Sequence, residues 1–421
     1  MAAYMLSLLS LFKSHIILFL VIQASKATSS STEMVKFDQL MEKLMAYGNV
    51  PGAQLALAKD GHLKYFKAFG VANRQNGELL TTRHIMRYNS ISKFITGVAI
   101  LKLVQEGQLS LEDKPFLFLD NLSPPTGAVV DPRLFNVTIQ HLLQHCAGWN
   151  DSLPGRNVFI LPGALYASHS LGQTAPPTVY DVIRYMKGLA LDFDPGSAMY
   201  YSNLGYAVLG RVIEKVSGMK YANYMQEHIF IPLGLTGLRM AESPEDRLAQ
   251  NEVHYHGFDG VDNLLLSIFP GQGYVNGSYG IVDYRNLDSA AGWTGNAADA
   301  VRFMDHIDGH RQPAILEGHM VNMMLNAPMP SNRSLIEDRY FDHSRGLNVY
   351  VSVGRDGKIK SFQHGGAGVG AMSLVMRFVD SNVTFAFVLN TCPLGEFVYD
   401  AIGNLTHLVH TIKDWPIDMS L

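Results

Sequence analysis

Cysteine occurs at only two of the 421 positions, Cys146 and Cys392, which excludes a disulfide scaffold as the source of stability. One bridge and two buried thiols both remain open, because cysteine is among the most readily buried residue types. Charge is sparse too: the formal net charge is -4 and there is no lysine and arginine run, so the chain offers no electrostatic footprint for nucleic acid. Beyond the first thirty residues no stretch is long and apolar enough to cross a bilayer, and no internal repeat or low-complexity tract is present. What the chain does have is enzyme-sized length and evenly spread apolar residues, enough for one compact body or two fused domains.

The first thirty residues, MAAYMLSLLSLFKSHIILFLVIQASKATSS, differ from everything after them. An apolar stretch interrupted by Lys13 and His15 leads into IILFLVI and then small residues at Ala24 to Ala27, the pattern of a signal peptide over residues 1–27. An uncleaved signal anchor and an untargeted buried helix are the alternatives, and only the anchor would place the protein on a membrane. Asn136, Asn150, Asn276, Asn332, Asn382 and Asn404 lie in N-x-S/T triplets, and Asn121 in one weakened by a following proline. Together with the leader they predict a secreted glycoprotein.

Alternating apolar residues around a central Asp-Gly predict a hairpin, Gln54 to Lys59 and Leu63 to Phe69. Ile91, Phe94, Ile95, Val98 and Leu101 recur at helical spacing, so a helix starts at Ser90, turns one apolar face inward and stops at Gly107. Helical signals dominate the middle: a threonine start at Thr138, a capping box at Thr178 and Asp181 ending at Gly188, a run from Asn203 to Gly218, and a cap at Asn296 with Asp299. AMSLVMRFVD and VTFAFVLNT then read as an antiparallel strand pair before a last helix from about Glu396 to Ile412. The simplest assembly is α/β plus all-α: an antiparallel sheet flanked by helices, made from early and late strands, with a helical lobe at about 108–300 inserted and a cleft between the two.

Three segments carry candidate chemistry. Serine-x-x-lysine is a weak signal, expected about once or twice at this length; of Ser10/Lys13, Ser90/Lys93 and Ser217/Lys220, only the second puts both residues on the first turn of a helix, where their side chains can meet. A serine hydroxyl needs a base, and a desolvated lysine can be one; the plain alternative is a local cap. In PGSAMYYSNLGYAVLG, Tyr201 and Asn203 occupy alternate positions before a helix and can project together; the plain alternative is a core aromatic and an N-cap. In SFQHGGAGVG, His364 can stand at a cleft edge, Gly366 allows close backbone approach, and Ala367 can offer its amide to an oxyanion; an ordinary glycine-rich strand entry competes with this.

Taken together, SISK at 90–93, YSN at 201–203 and HGG at 364–366, with LLQHCAGW and PGSAMYYSNLGYAVLGRVIEKVSG around them, resemble the serine beta-lactamase and penicillin-binding-protein superfamily, especially its class C beta-lactamase-like and family VIII esterase-like branch. The resemblance covers residues 35–415 and implies a beta-lactamase/transpeptidase-like fold and covalent acyl transfer on a small ester or amide. It implies Ser90 as nucleophile, Lys93 as its base, Tyr201 as acid/base partner, Asn203 as substrate-orienting group, His364 opening the third motif, and the amides of Ser90 and Ala367 as oxyanion hole. It implies no cofactor and no metal, and HYH at 254–256 with Asp259 reads as a surface loop. His364 stands where many beta-lactam-processing relatives have lysine, which favours an esterase over a beta-lactamase or D-amino-acid peptidase. Cys146-Ala147 replaces a common threonine-serine pair, and reads as packing or a disulfide option. Trp149, Tyr274 and Trp293 are candidates for lining the pocket or for supporting loops. A silent binding protein on the same scaffold is the reading from a different class; oligomeric state is open.

Overall fold

The computed structural model describes residues 33–119, 122–330 and 346–416; the leader, Asn121 and Asn332 lie outside them. The predicted hairpin is β1, Gly52–Lys59, and β2, His62–Asn73. Asp60 and Gly61 turn it with φ of 53° and 76°, the paired left-handed geometry that suits a two-residue connection between twisted strands. The remaining strands are β3, Glu78–Leu79; β4, Met86–Arg87; β5, Arg239–Met240; β6, Leu264–Leu266; β7, Tyr274–Asn276; β8, Trp293–Gly295; β9, Tyr350–Val353; β10, Ile359–Gly368; β11, Ala371–Phe378; and β12, Val383–Leu389. Among the described residues the main sheet is antiparallel, in the order β3-β2-β1-β12-β11-β10-β9, so the first and last strands of the chain meet at its centre.

β1 and β12 read as nearly unbroken apolar runs because both faces of the sheet are covered. Leu55, Leu57, Phe385 and Phe387 face a layer made by a helix over 33–47 and the final helix Phe397–Thr411, meeting Phe37, Met41, Leu405 and Val409. Ala56, Ala58, Ala386 and Val388 face the opposite way, where small side chains let the central helix Ile91–Gln105 and the helix Ala297–Asp305 approach. Between the early and late strands the chain builds an inserted all-α lobe, which includes the helices Val179–Lys187 and Asn203–Ser217. The Thr178–Asp181 capping box forms as predicted, and Gly218 closes the second of these helices with φ of 72°.

The helix after Ser90 departs from its predicted one-sided burial. Twelve of its fifteen residues are buried, from Ile91 through Leu101 and Leu103, so it is enclosed by the sheet on one side and the lobe on the other. Gly97 is needed there: a Cβ would lie 2.1 Å from Asn348 Nδ2, which donates to Phe94 O at 2.7 Å. HYH is also not a surface loop. Tyr255 and His256 are buried, and the Tyr255 ring packs 4.1 Å from the Arg87 guanidinium carbon. Cys146 and Cys392 are separate buried thiols, pushed up by burial to about 12 and about 11.

Candidate active site

Ser90 follows a residue held in an uncommon conformation. Asn89 has φ of 48°, stabilised by Nδ2 donating to Ala371 O at 3.0 Å and Oδ1 accepting from Tyr284 OH at 3.0 Å. The Ser90 hydroxyl does not cap its helix. Its Oγ instead lies 2.6 Å from Tyr201 OH and 3.2 Å from Lys93 Nζ. The three chemistry-bearing side chains predicted from two distant segments therefore converge.

Lys93 is fully buried. Its amine donates to Asn203 Oδ1 at 2.8 Å and to Ala290 O at 2.9 Å, both carbonyl oxygens that only accept. Burial lowers it from 10.5 to about 7, against an opposing pull from the Asp151 carboxylate. A neutral amine with its two N–H groups committed to those oxygens has its lone pair left for the third partner, Ser90 Oγ. That geometry can accept the serine proton.

Tyr201 lies in the extended approach to the Asn203–Ser217 helix, with its ring 4.8 Å from Lys93 Nζ. Burial, then the neighbouring Tyr350, raises its phenol far above the usual 10, so it is neutral around pH 7. His145 holds the ring from behind, stacked at 4.5 Å and 26°, while its Nδ1 accepts from Ser202 N at 3.1 Å. The helix runs from Asn203 as predicted, and its N-cap is Ser202, so the plain alternative of Asn203 as the cap does not hold.

His364 is buried in the cavity wall rather than at the cleft edge, with Phe94 and Tyr350 at 6.3 and 5.5 Å between ring centres. Burial drives it down to about 3, so it is a neutral imidazole, with Nδ1 2.7 Å from Gly365 O. Gly366 faces the same side, where a Cβ would sit 2.1 Å from Tyr88 O and 2.8 Å from Ser90 N. Only glycine lets β10 come this close to the start of the serine helix. Ala367 follows, exposed and lining the same cavity.

That cavity measures about 440 Å³ and has walls from both halves of the molecule, including Phe159, Ile160, Ile281, Val282, Leu287 and Tyr350. Among the described residues no Asp, Glu, Lys or Arg lines it. None of the three aromatic candidates does either: Trp149 packs on Phe116, Trp293 is buried against Phe230 with Nε1 donating to Tyr221, and Tyr274 is exposed on β7. Two contributors escaped the motif reading, Asp151 and the Ala290 carbonyl. The first carries no pattern of its own, and the second is backbone; His145 was visible only inside the LLQHCAGW segment.

The antiparallel sheet, the inserted helical lobe and this constellation define a beta-lactamase/transpeptidase fold with a serine and a tyrosine at one cavity and a buried lysine bonded to the serine behind its wall. The chain belongs to the beta-lactamase family, whose model matches residues 37–406. It is 24% identical over 375 residues to penicillin-binding protein 4* of Bacillus subtilis, covering 89% of this chain and 74% of that protein. It is 26% identical over 292 residues to esterase EstB of Burkholderia gladioli, covering 65% of this chain and 69% of that one. With a putative D-alanyl-D-alanine carboxypeptidase of Escherichia coli K12 it shares 28% over 272 residues, 60% of this chain, and spans 59% of the relative's length. Among solved structures it superposes on an octameric penicillin-binding protein homologue from Pyrococcus abyssi with a TM-score of 0.66 at 24% identity, covering 91% of this chain and 79% of that one. It superposes on EstCE1, described as a hydrolase with promiscuous acyltransferase activity, with a TM-score of 0.67 at 19% identity, covering 89% and 99%. These relatives place the chain in a broad hydrolase superfamily.

Proposed function

We propose that the protein is a serine hydrolase that forms an acyl-enzyme on Ser90 and acts on small carboxylic esters. The observation that carries this reading is the Lys93 amine, hydrogen-bonded to two acceptor-only oxygens at 2.8 and 2.9 Å and facing Ser90 Oγ at 3.2 Å. Lys93 takes the Ser90 proton as Oγ attacks the carbonyl carbon. Tyr201 gives its proton to the leaving oxygen as the C–O bond breaks, and recovers one from Lys93. In the second half the Tyr201–Lys93 pair accepts a proton from water as its oxygen attacks the acyl carbon, and returns that proton to Ser90 Oγ as the Ser90–acyl bond breaks and the acid is released. Charge developing on the carbonyl oxygen is met by the amide of Ser90, at the start of a fifteen-residue helix, and by that of Ala367 on β10.

An ester is favoured over a beta-lactam or a D-peptide because the described cavity wall is uncharged and His364 is neutral. A substrate carboxylate would enter without a cation to receive it. Similarity to a carboxypeptidase and a penicillin-binding protein supports amide cleavage as the second reading. Export belongs to the same proposal, resting on the leader and the sequons.

The test is turnover of a short-chain aryl ester and a chromogenic cephalosporin by one sample, with intact-chain mass after exposure to an acylating ester. Ester turnover and a single adduct, both absent in Ser90→Ala, are expected. Unchanged labelling of the alanine variant would sink the assignment, and cephalosporin turnover exceeding ester turnover would favour the second reading. If neither substrate turns over and no adduct forms, the scaffold serves binding instead.

A further inference from the structure

The helix that carries Asn203 begins without a side-chain cap from its own N-cap residue, Ser202. Its first amide is served by a loop far back in the chain: Asn203 N donates to Asp151 Oδ2 at 2.7 Å, and Asn203 Nδ2 donates to the same oxygen at 3.2 Å. The other end of the Asn203 amide, Oδ1, accepts from Lys93 Nζ at 2.8 Å. An ionised carboxylate only accepts, so the NH₂ end must face Asp151 and the oxygen must face the amine.

We propose that Asp151 is a positioning residue for the Lys93 base, acting through the Asn203 amide: it fixes which end of Asn203 meets the amine and sets a negative charge one amide group away from it. The inference rests on the assignment of Ser90 and Lys93 made above. If Asn203 turned over, its NH₂ would face the amine, and Lys93 could satisfy that donor only by turning its lone pair away from Ser90 Oγ. The serine would then face an N–H instead of a base.

The other titratable groups around Lys93 leave this role to Asp151. Tyr201 and Tyr206 lie with ring centres 4.8 and 5.9 Å from Nζ, and burial keeps both phenols protonated. His145 and His364 are held below the usual imidazole range by burial and by the lysine itself, so neither is charged at neutral pH. Asp151, raised by burial to about 6, is the carboxylate whose charge opposes the desolvation of Lys93.

The isosteric Asp151→Asn variant keeps an oxygen for the Asn203 amide but removes the charge and the acceptor-only constraint. For aryl-ester hydrolysis its kcat/KM is expected to fall about tenfold, and the acid limb of its pH profile to move down by about half to one unit, because loss of the anion lowers the pKa of the neutral-active lysine. Asp151→Ala, which also loses the cap, is expected to lose about 100-fold. Thermal unfolding of both variants is followed in parallel. An unmoved limb, whether the rate is normal or uniformly reduced, overturns the proposal, and so does loss of fold in both variants, which would make Asp151 a structural cap alone. Ser90→Ala is run beside them: if it still turns over the ester, the failure lies in the serine assignment and takes this inference with it.

Discussion

On one face of the main sheet Leu55, Leu57, Phe385 and Phe387 meet Phe37, Met41, Leu405 and Val409 in apolar contact; on the other, Gln54, His364, Ser373 and Arg377 are buried within the sheet itself, and Lys93 in the helix above it. The same strands supply both, since side chains alternate across a strand. On the first face, contact with two helices removes large apolar surface from water and stabilises by area. On the second, each polar group is tied by a directed bond: Ser373 Oγ donates to Tyr88 O at 2.7 Å, and Gln54 Nε2 donates to Thr81 O and His84 O at 2.9 Å each. The division lets a chain hold a buried amine at its centre, tied by hydrogen bonds to Asn203 and Ala290 without a carboxylate in direct contact, because stability is drawn largely from elsewhere.

The strongest way to break that comparison is Lys93→Met. Ester kcat/KM should drop by about 10³-fold, the scale of a lost general base, while thermal unfolding stays level or rises, because an apolar side chain of similar length replaces a desolvated amine. Phe385→Ala on the opposite face should do the reverse. It is expected to cost about 3–5 kcal/mol in denaturant unfolding while kcat/KM of the folded enzyme stays within about twofold. Gly366→Ala sits between the two, since its Cβ would meet Tyr88 O at 2.1 Å and push β10 from the serine helix. About 10- to 100-fold loss of activity and about 1–3 kcal/mol of stability are expected together. Activity loss after Phe385→Ala in a fully folded sample would show that the two faces are not separable.

Much of this division was legible in the residues. The Asp60–Gly61 hairpin, the Thr178 and Asn296 caps and the Gly218 stop follow local rules that tertiary contacts do not override. Ser90, Lys93 and Tyr201 were legible because a motif links each to its neighbours. Three features were not. The all-round burial of Ile91–Gln105 depends on what packs over its second side, and Lys93 and Thr96 in that helix read as polar until partners are known. Tyr255 is buried because Arg87, far away in sequence, needs an aromatic enclosure, with Tyr284 4.4 Å from the guanidinium carbon on another side. Asp151 acts through an amide of another segment, so no spacing in its own loop reveals it.

The smallest expected effect, and the one that sharpens the comparison most, is in the pH dependence. With Lys93 as the proposed base, its neutral form is the active one, so kcat/KM should rise through about pH 7 and fall about tenfold per unit below it. Stability carries the same signature with its own sign. The unfolded chain holds a proton on Lys93 up to about 10.5 while the folded chain gives it up near 7, so the cost of burying this lysine is full below pH 7 and fades as pH rises through that window. His364 adds a second slope on the acid side: its folded value of about 3 against 6.5 means that stability falls as pH drops from about 6.5 toward 3. Lys93→Met should flatten the alkaline slope and keep most of the acid one, since burial is the main cause of the His364 shift and the lysine a smaller one, whereas Phe385→Ala should lower the whole curve without changing either. Unfolding free energy measured from pH 4 to 10 on the three proteins separates these outcomes, and a wild-type alkaline slope surviving in Lys93→Met would mean that the amine is not the group being desolvated.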